Sequence, residues 1–432
     1  MLLTIIVISV IALVFCYELY LNHLRISSAK NPVPACVADV YDVETHAKQQ
    51  AYNAEKCRLN YLTLSVSFLI DAALLLTNAY AAFAGLFEKE DWPQMFAVVL
   101  LSAIASLASL PFSWHETMVI EEKYGFNRTS PKTFVIDAVK EFLLQTGLLT
   151  GIGSALMGLH QRFGDWLILV FAGVMTAGIL FITFLYPFFS KLFNKFTPLP
   201  DGDLRSRLTA LLEKNGYRVR AVNVMDASRR STKSNAYFAG FGRMKTIVLY
   251  DTLLERMTDD EICAVFAHEM GHGLHKDTLR NQLMSFAEML MISLMAWLTL
   301  RTPELFTAFG FEKINYGFAL YLIMSVEFAL FMPLLGLLRN SLSRRAEYRA
   351  DAHAAKEGYA EALVSGLKKL SRENFSDVAP SPVLVALTYS HPTLAQRIEA
   401  LEKTRRHDPS RRADAAALSY HDVTAGNSFQ KQ

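Results

Sequence analysis

The sequence predicts a mainly α-helical membrane protein of seven spans, with a small α+β domain set between the fifth and sixth. Three observations lead there. The 432 residues are 52% hydrophobic and only 19% charged, with mean hydropathy +0.21; soluble domains carry nearer a quarter charged residues. Several apolar runs reach the roughly 20 residues needed to cross a hydrocarbon core. One long polar stretch, 189–281, interrupts the series and mixes strand-like and helical patterns. The net charge of +2 gives no electrostatic footprint for nucleic acid. Cys16, Cys36, Cys57 and Cys263 form no C-x-x-C pair, so neither a disulfide framework nor a thiolate zinc site is suggested.

Residues 2–17 are almost continuously apolar, and no Lys or Arg precedes Arg25. A signal peptide would need a basic start, so this run is an uncleaved first span. Residues 24–60 are polar. Spans two and three follow at 62–87 and 95–112, joined by Glu88-Lys89-Glu90-Asp91, and 113–135 is polar again. Span four, 136–158, is weaker and carries Asp137, Lys140 and Glu141 at its start; span five, 166–188, is clear. Residues 1–188 are thus the N-terminal membrane region. In 189–281 the pattern gives a helix at 203–215 and strands at 218–225, 234–239 and 245–250, with Gly240 and Gly242 marking a hairpin. Spans six and seven occupy 282–300 and 314–338. Residues 339–404 are polar and helical, and the mixed tail 405–432 is predicted to be disordered. Lys and Arg concentrate after spans one, three and five and in the C-terminal region, which the positive-inside rule places in the cytoplasm, with the N-terminus outside. Asp71, Glu288 and Glu327 fall inside predicted spans. They either face a bundle interior or a water-filled cavity, or are satisfied by local pairing.

The chemistry concentrates in His268-Glu269-Met270-Gly271-His272, an H-E-x-x-H pattern. Residues four apart share a helix face, so His268 and His272 can bind one metal ion, and Glu269 beside it can take a proton from an attacking water. The helix is locally signalled. Thr258-Asp259-Asp260-Glu261 is a capping box, and Ile262, Val265, Phe266 and Met270 follow at helical spacing. Cys263 reads as core packing. A catalytic zinc has three protein ligands and one open position. The best third ligand lies in Ser343–Asp351, where Glu347 and Asp351 are four apart. Glu347 can bind the metal while Asp351 orients a ligating histidine; the alternative is a solvated charged face shared with Arg344, Arg345 and Arg349. His275, one turn beyond His272, is a rival that would strain tetrahedral geometry. One Zn2+ per chain is expected.

Further stretches carry a resemblance: Val119–Asn127, Phe193–Pro200, Ser234-Asn235-Ala236-Tyr237-Phe238, Ile247–Leu254, His268–His272, Ser343–Asp351 and Tyr389-Ser390-His391-Pro392-Thr393-Leu394. In order and spacing they resemble the type I CAAX prenyl protease family over residues 30 to 404. The resemblance implies an integral-membrane zinc metalloprotease: a seven-span transmembrane helical barrel enclosing a chamber, with a small zincin-like domain facing inwards. Eukaryotic members of that family remove the last three residues from farnesylated C-a-a-X proteins. By this resemblance His268, His272 and Glu347 are ligands, Glu269 is the base, and Asp351 stands behind the ligands or donates a proton. Asn235, His391 and Arg397 line the substrate groove. Asn235 can hold an extended peptide by edge pairing, or is a turn residue. His391 can donate to the oxyanion, or caps the helix after Pro392. Arg397 can pair with a substrate C-terminal carboxylate, or lies on a solvated face. The chain departs from the family at Gly273, where relatives often carry a bulky aromatic, and in its tail after Arg405.

The expected partners are a peptide or protein substrate, prenylated or not, and the lipid bilayer. The expected location is a bacterial inner membrane or an endoplasmic reticulum membrane, with the active site towards the cytoplasm. Two other readings are a membrane quality-control protease, which usually has about four spans, and a non-catalytic chamber with a structural metal.

Overall fold

The computed structural model describes residues 1–87, 90–229, 236–239, 244–275 and 277–406. Two long helices open the chain, α1 (Leu2–Ser28) and α2 (Val43–Leu76). The polar half of α2, expected as a linker, continues the helix because the Asp42 carboxylate caps it, accepting the Thr45 N–H at 2.7 Å. The second span ends at Leu76, earlier than expected. Asn78 takes a left-handed conformation at φ 52°, and a separate short helix follows, α3 (Ala79–Ala84). Next come α4 (Asp91–Leu107), α5 (Leu110–His115) and a π-helical turn, Glu116–Glu121. Then α6 (Pro131–Phe163) and α7 (Leu167–Phe193) are broken by Gly164 at φ 51°.

The soluble region holds a four-stranded sheet and its helices. The strands are β1 (Phe196–Pro198), β2 (Arg218–Met225), β3 (Ala236–Ala239) and β4 (Met244–Tyr250), in the order β1-β2-β4-β3. β2 and β4 are parallel, and the outer strands β1 and β3 pair antiparallel to them. The hairpin expected between β3 and β4 is present as a pairing; Gly240 and Gly242 lie outside the described residues. Helix α8 (Asp203–Lys214), the short α9 (Asp251–Leu254) and α10 (Asp259–Leu274) complete the unit. Leu208 and Leu212 of α8, Ile247 and Leu249 of β4, and Ile262, Cys263 and Phe266 of α10 form one buried core.

The chain then returns to apolar helices. After α11 (Asp277–Leu300) and α12 (Pro303–Thr307), α13 (Tyr316–Tyr321) runs through a second π-helical turn, Leu322–Glu327, directly into α14 (Phe328–Lys356). The C-terminal region adds α15 (Ala360–Glu373), α16 (Pro382–Thr388) and α17 (Leu394–Arg406). Among the described residues six apolar helical stretches are long enough to cross a membrane, and the fourth, Pro131–Ile182, is 52 residues long. At ~1.5 Å per residue it is more than twice the thickness of a ~30 Å core. It contains α6 and the start of α7, so it supplies two spans, which gives seven. Their packing centres on aromatic rings, with Phe318 against Tyr80, Phe306, Phe309 and Phe311. Two carboxylates in the spans are paired locally. Glu327 accepts from the Thr299 hydroxyl at 2.5 Å, and Glu288 lies 3.3 Å from Arg339.

The capping box at the start of α10 forms as the sequence predicts. Thr258 Oγ1 accepts the Glu261 N–H at 3.3 Å, and Glu261 Oε2 accepts the Thr258 N–H at 2.8 Å. Glu261 is buried and also takes bonds from Lys369 (2.7 Å) and Ser365 (2.6 Å) of α15. Burial pushes its carboxyl up, but the Lys369, Ser365 and Thr258 donors outweigh it, so it sits below the ordinary 4.5. A depressed carboxylate adds stability above its unfolded value and loses it as pH falls. Glu261→Gln should therefore cost about 1.5–3 kcal/mol at pH 7, as for a hydrogen bond to a charged group. The gap to wild type should narrow progressively as pH falls below the ordinary 4.5 and the lowered carboxyl is protonated; thermal unfolding across a falling pH series reads it.

Candidate metal centre

One close approach builds the site. Helix α14 crosses α10 at Gly271, where an added Cβ would lie 2.6 Å from the Ala350 Cα and 3.2 Å from the Ala350 carbonyl oxygen. No side chain fits between these backbones, so the motif needs glycine at this position. The crossing sets Glu347, one turn before Ala350, and Asp351, just after it, against the two histidines. Glu347 Oε2 lies 3.4 Å from His268 Nε2, and Glu347 Oε1 lies 3.2 Å from His272 Nε2. One ligand atom from each of His268, His272 and Glu347 falls within 4.8 Å of the other two. Glu347 and His268 are buried and His272 is partly so.

Behind the histidines stand two carboxylates. His268 Nδ1 lies 2.8 Å from Asp351 Oδ1. Arg397 of α17 grips that aspartate through two bonds, Nε to Oδ2 at 2.9 Å and Nη2 to Oδ1 at 2.6 Å. His272 Nδ1 lies 3.0 Å from Asp277 Oδ2. Burial works against charging either imidazole, but the bonds to the carboxylates outweigh it. His268 is raised by Asp351 and Glu347, and His272 is raised to about 9 by Glu347 and Asp277. A pocket that favours a proton between imidazole and carboxylate also favours a cation there. The donor set fits a divalent ion. Two imidazole nitrogens and one carboxylate converge, a set that suits catalytic zinc, and the buried Glu347 Oε2 has no hydrogen-bond partner among the described residues.

The remaining predicted residues divide. Glu269 is half-buried, and no hydrogen bond to its carboxylate is formed among the described residues. His391 is 63% exposed and reaches the site, with Nε2 3.3 Å from Glu347 Oε1. It does not cap α17; Thr393 does, in a reciprocal pair with Gln396 at 3.2 and 3.0 Å. Arg397 is buried and not on a solvated face, and its fork is already engaged by Asp351. Asn235 lies outside the described residues. His275 is exposed at the end of α10, outside the ligand group. At Gly273 an added Cβ would lie 2.5 Å from the Tyr217 hydroxyl, so Tyr217 fills the space beside this departure from the family pattern. Asp277 was not singled out in the sequence. As an acid in the first turn of an apolar helix it reads as a partner for the helix dipole.

Residues 22–195 match the family described as the CAAX prenyl protease N-terminal region of five membrane helices, and residues 198–405 match peptidase family M48. The CAAX prenyl protease 1 homolog of Arabidopsis thaliana is 32% identical over 414 residues, covering 92% of this chain and 96% of that protein. The chain belongs to the CAAX prenyl protease family. The Oryza sativa subsp. japonica homolog is 33% identical over 408 residues, covering 90% and 95%, and the Homo sapiens homolog 28% over 447, covering 91% and 94%. The crystal structure of S. mikatae Ste24p matches with a TM-score of 0.85 at 27% identity, covering 92% of this chain and 99% of that one. The chain is thus an integral, multi-pass membrane metallopeptidase of the CAAX prenyl protease type, a peptide-bond hydrolase.

Two variants of this family member should lose metal for different reasons. Glu347→Ala removes one carboxylate of the candidate ligand group and should abolish most metal binding in an otherwise folded protein. Gly271→Ala keeps all three residues of that group but forces α10 and α14 apart. It should lower metal content and also destabilise by about 1–3 kcal/mol, as overpacking does. Metal analysis and thermal unfolding on the same samples separate the two.

Proposed function

We propose that this chain is a zinc endopeptidase that cuts near the C-terminus of prenylated peptides or proteins, with its active site towards the cytoplasm. The observation that carries the reading is the convergence of His268, His272 and Glu347 beside a half-buried Glu269 whose carboxylate takes no hydrogen bond among the described residues. His268, His272 and Glu347 would hold one zinc ion. Zinc in such a site polarises the scissile carbonyl and lowers the pKa of an attacking water towards 7.

The protein's own groups do the rest. Glu269 takes the proton from the attacking water and passes it to the leaving amine. His391 donates from Nε2 to the carbonyl oxygen as charge develops there. Ser390 Oγ lies 2.9 Å from His391 Nδ1, and a hydroxyl donating to that nitrogen leaves Nε2–H free to donate. Asp351 holds His268 in the tautomer that turns Nε2 to the metal. With its fork on Asp351, Arg397 serves this arm as a positioning residue, in place of the substrate carboxylate expected from the sequence. Among the described residues β3 is an outer strand of the sheet, paired with β4. Its outer edge, next to Asn235 in sequence, suits an extended substrate added as a further strand.

Glu269→Gln keeps size and shape but removes the base. It should retain wild-type zinc and still bind substrate, while turnover falls at least ~10²-fold, the lower range for a lost general base. Near-normal cleavage would remove Glu269 from the mechanism. The substrate is tested with a farnesylated C-a-a-X peptide against its unmodified form, with and without a zinc chelator. Faster, chelator-sensitive cleavage of the farnesylated form is expected. Zinc-loaded protein that cleaves neither would favour a structural metal.

Orientation rests on the distribution of Lys and Arg across the linkers. Reporters fused after residue 90 and after residue 420 should report opposite sides of the membrane, the second cytoplasmic. The same side for both would overturn the arrangement.

A further inference from the structure

We infer that Asp277, clamped by Arg349, is a positioning residue for His272, tying metal affinity to the first residue of a membrane-spanning helix. The inference rests on the metal reading above and concerns residues to which that reading gives no role. Asp277 is 5% exposed and begins α11. Its Oδ2 faces His272 Nδ1 at 3.0 Å, while Oδ1 takes Arg349 Nη2 at 2.8 Å and lies 3.3 Å from Arg280 Nη1. A carboxylate that accepts Nδ1–H fixes the imidazole tautomer and ring plane, leaving the Nε2 lone pair directed at the metal. His272 Nε2 does face Glu347, at 3.2 Å.

The arrangement repeats the one on the other histidine. Asp351 stands behind His268 and is gripped by Arg397; Asp277 stands behind His272 and is gripped by Arg349. Arg349 sits on α14 between Glu347 and Asp351, so a single turn of that helix supplies a ligand, one orienting carboxylate and the clamp on the other. The arms differ in their anchors. Arg397 is buried on the C-terminal helix, whereas Asp277 opens the sixth span and the Arg349 side chain is 42% exposed. Asp277 as a mere dipole partner for α11 would stabilise the helix without touching metal affinity, which gives the two roles different signatures.

The test uses the full chain in detergent, stripped with chelator. It is then titrated with zinc chloride against a chromophoric chelator, and separately with cobalt chloride to record the visible spectrum. Asp277→Ala should weaken zinc binding about 10- to 100-fold, as loss of an orienting carboxylate does, and shift the cobalt bands. Asp277→Asn keeps the shape and an acceptor and should lose less. Arg349→Ala, which leaves the carboxylate held by Arg280 alone, should fall between wild type and Asp277→Ala. The unfolding midpoint should drop more in the presence of zinc than in its absence. Wild-type zinc affinity and cobalt spectra in the folded variants, or a midpoint lowered equally with and without zinc, would overturn the inference. If Asp277→Ala does not fold, wild-type affinity in both Asp277→Asn and Arg349→Ala overturns it. A wild-type protein that binds neither zinc nor cobalt overturns the metal reading as well; wild-type metal binding unmoved by these variants overturns this inference alone.

Discussion

The site depends on how closely two backbones can approach. At Gly271 and Ala350 the helices α10 and α14 meet with no room for a Cβ. A separation wider by one methyl group would lift Glu347 away from both imidazoles. Each helix is held by its own means. α10 is fixed at its start by the buried Glu261 and its bonds to α15. α14 arrives as the continuation of a membrane span. The candidate metal-binding group therefore draws on one helix packed with the sheet and one helix that continues an apolar, membrane-length stretch.

Charge balance follows from that contact. Glu347, Asp351 and Asp277 bring three carboxylates into a buried space, against the guanidinium groups of Arg397, Arg349 and Arg280. Burying charges costs several kcal/mol each unless they are paired and hydrogen-bonded. Asp351 has Arg397 and His268, and Asp277 has Arg349, Arg280 and His272. Glu347 faces the imidazoles of His268, His272 and His391 and lies 3.6 Å from Arg397.

The sequence shows the parts whose logic is local. The capping box of Thr258 and Glu261, the face carrying His268 and His272, and β2 at 218–225 all depend on short-range periodicity or capping. The parts it hides depend on distant partners. β1 is three residues long and exists because it can pair with β2. The polar start of α2 looks like linker, yet Tyr52 bonds Glu121 at 2.6 Å and packs on Phe375. Arg397 shows a charge at a helical position, but nothing in its neighbourhood says that Asp351 will take its fork. Asp277 follows His272 by five residues, and only the turn between α10 and α11 brings its carboxylate back to the imidazole.

The π-helical turn Leu322–Glu327 between α13 and α14 has a consequence far from its own position. An α-helix rotates by ~100° per residue, and a π turn takes up one extra residue within an unbroken helix. Everything after Glu327 is therefore turned by roughly a third of a revolution relative to the helix before it. Upstream, Phe318 and Tyr321 must face the aromatic core of the membrane region; downstream, Glu347 must face α10. The extra residue of the π turn enters the angle between these two faces. It sets the angular phase of the ligand face, so that shortening this turn by one residue would leave an equally apolar span whose carboxylate points elsewhere.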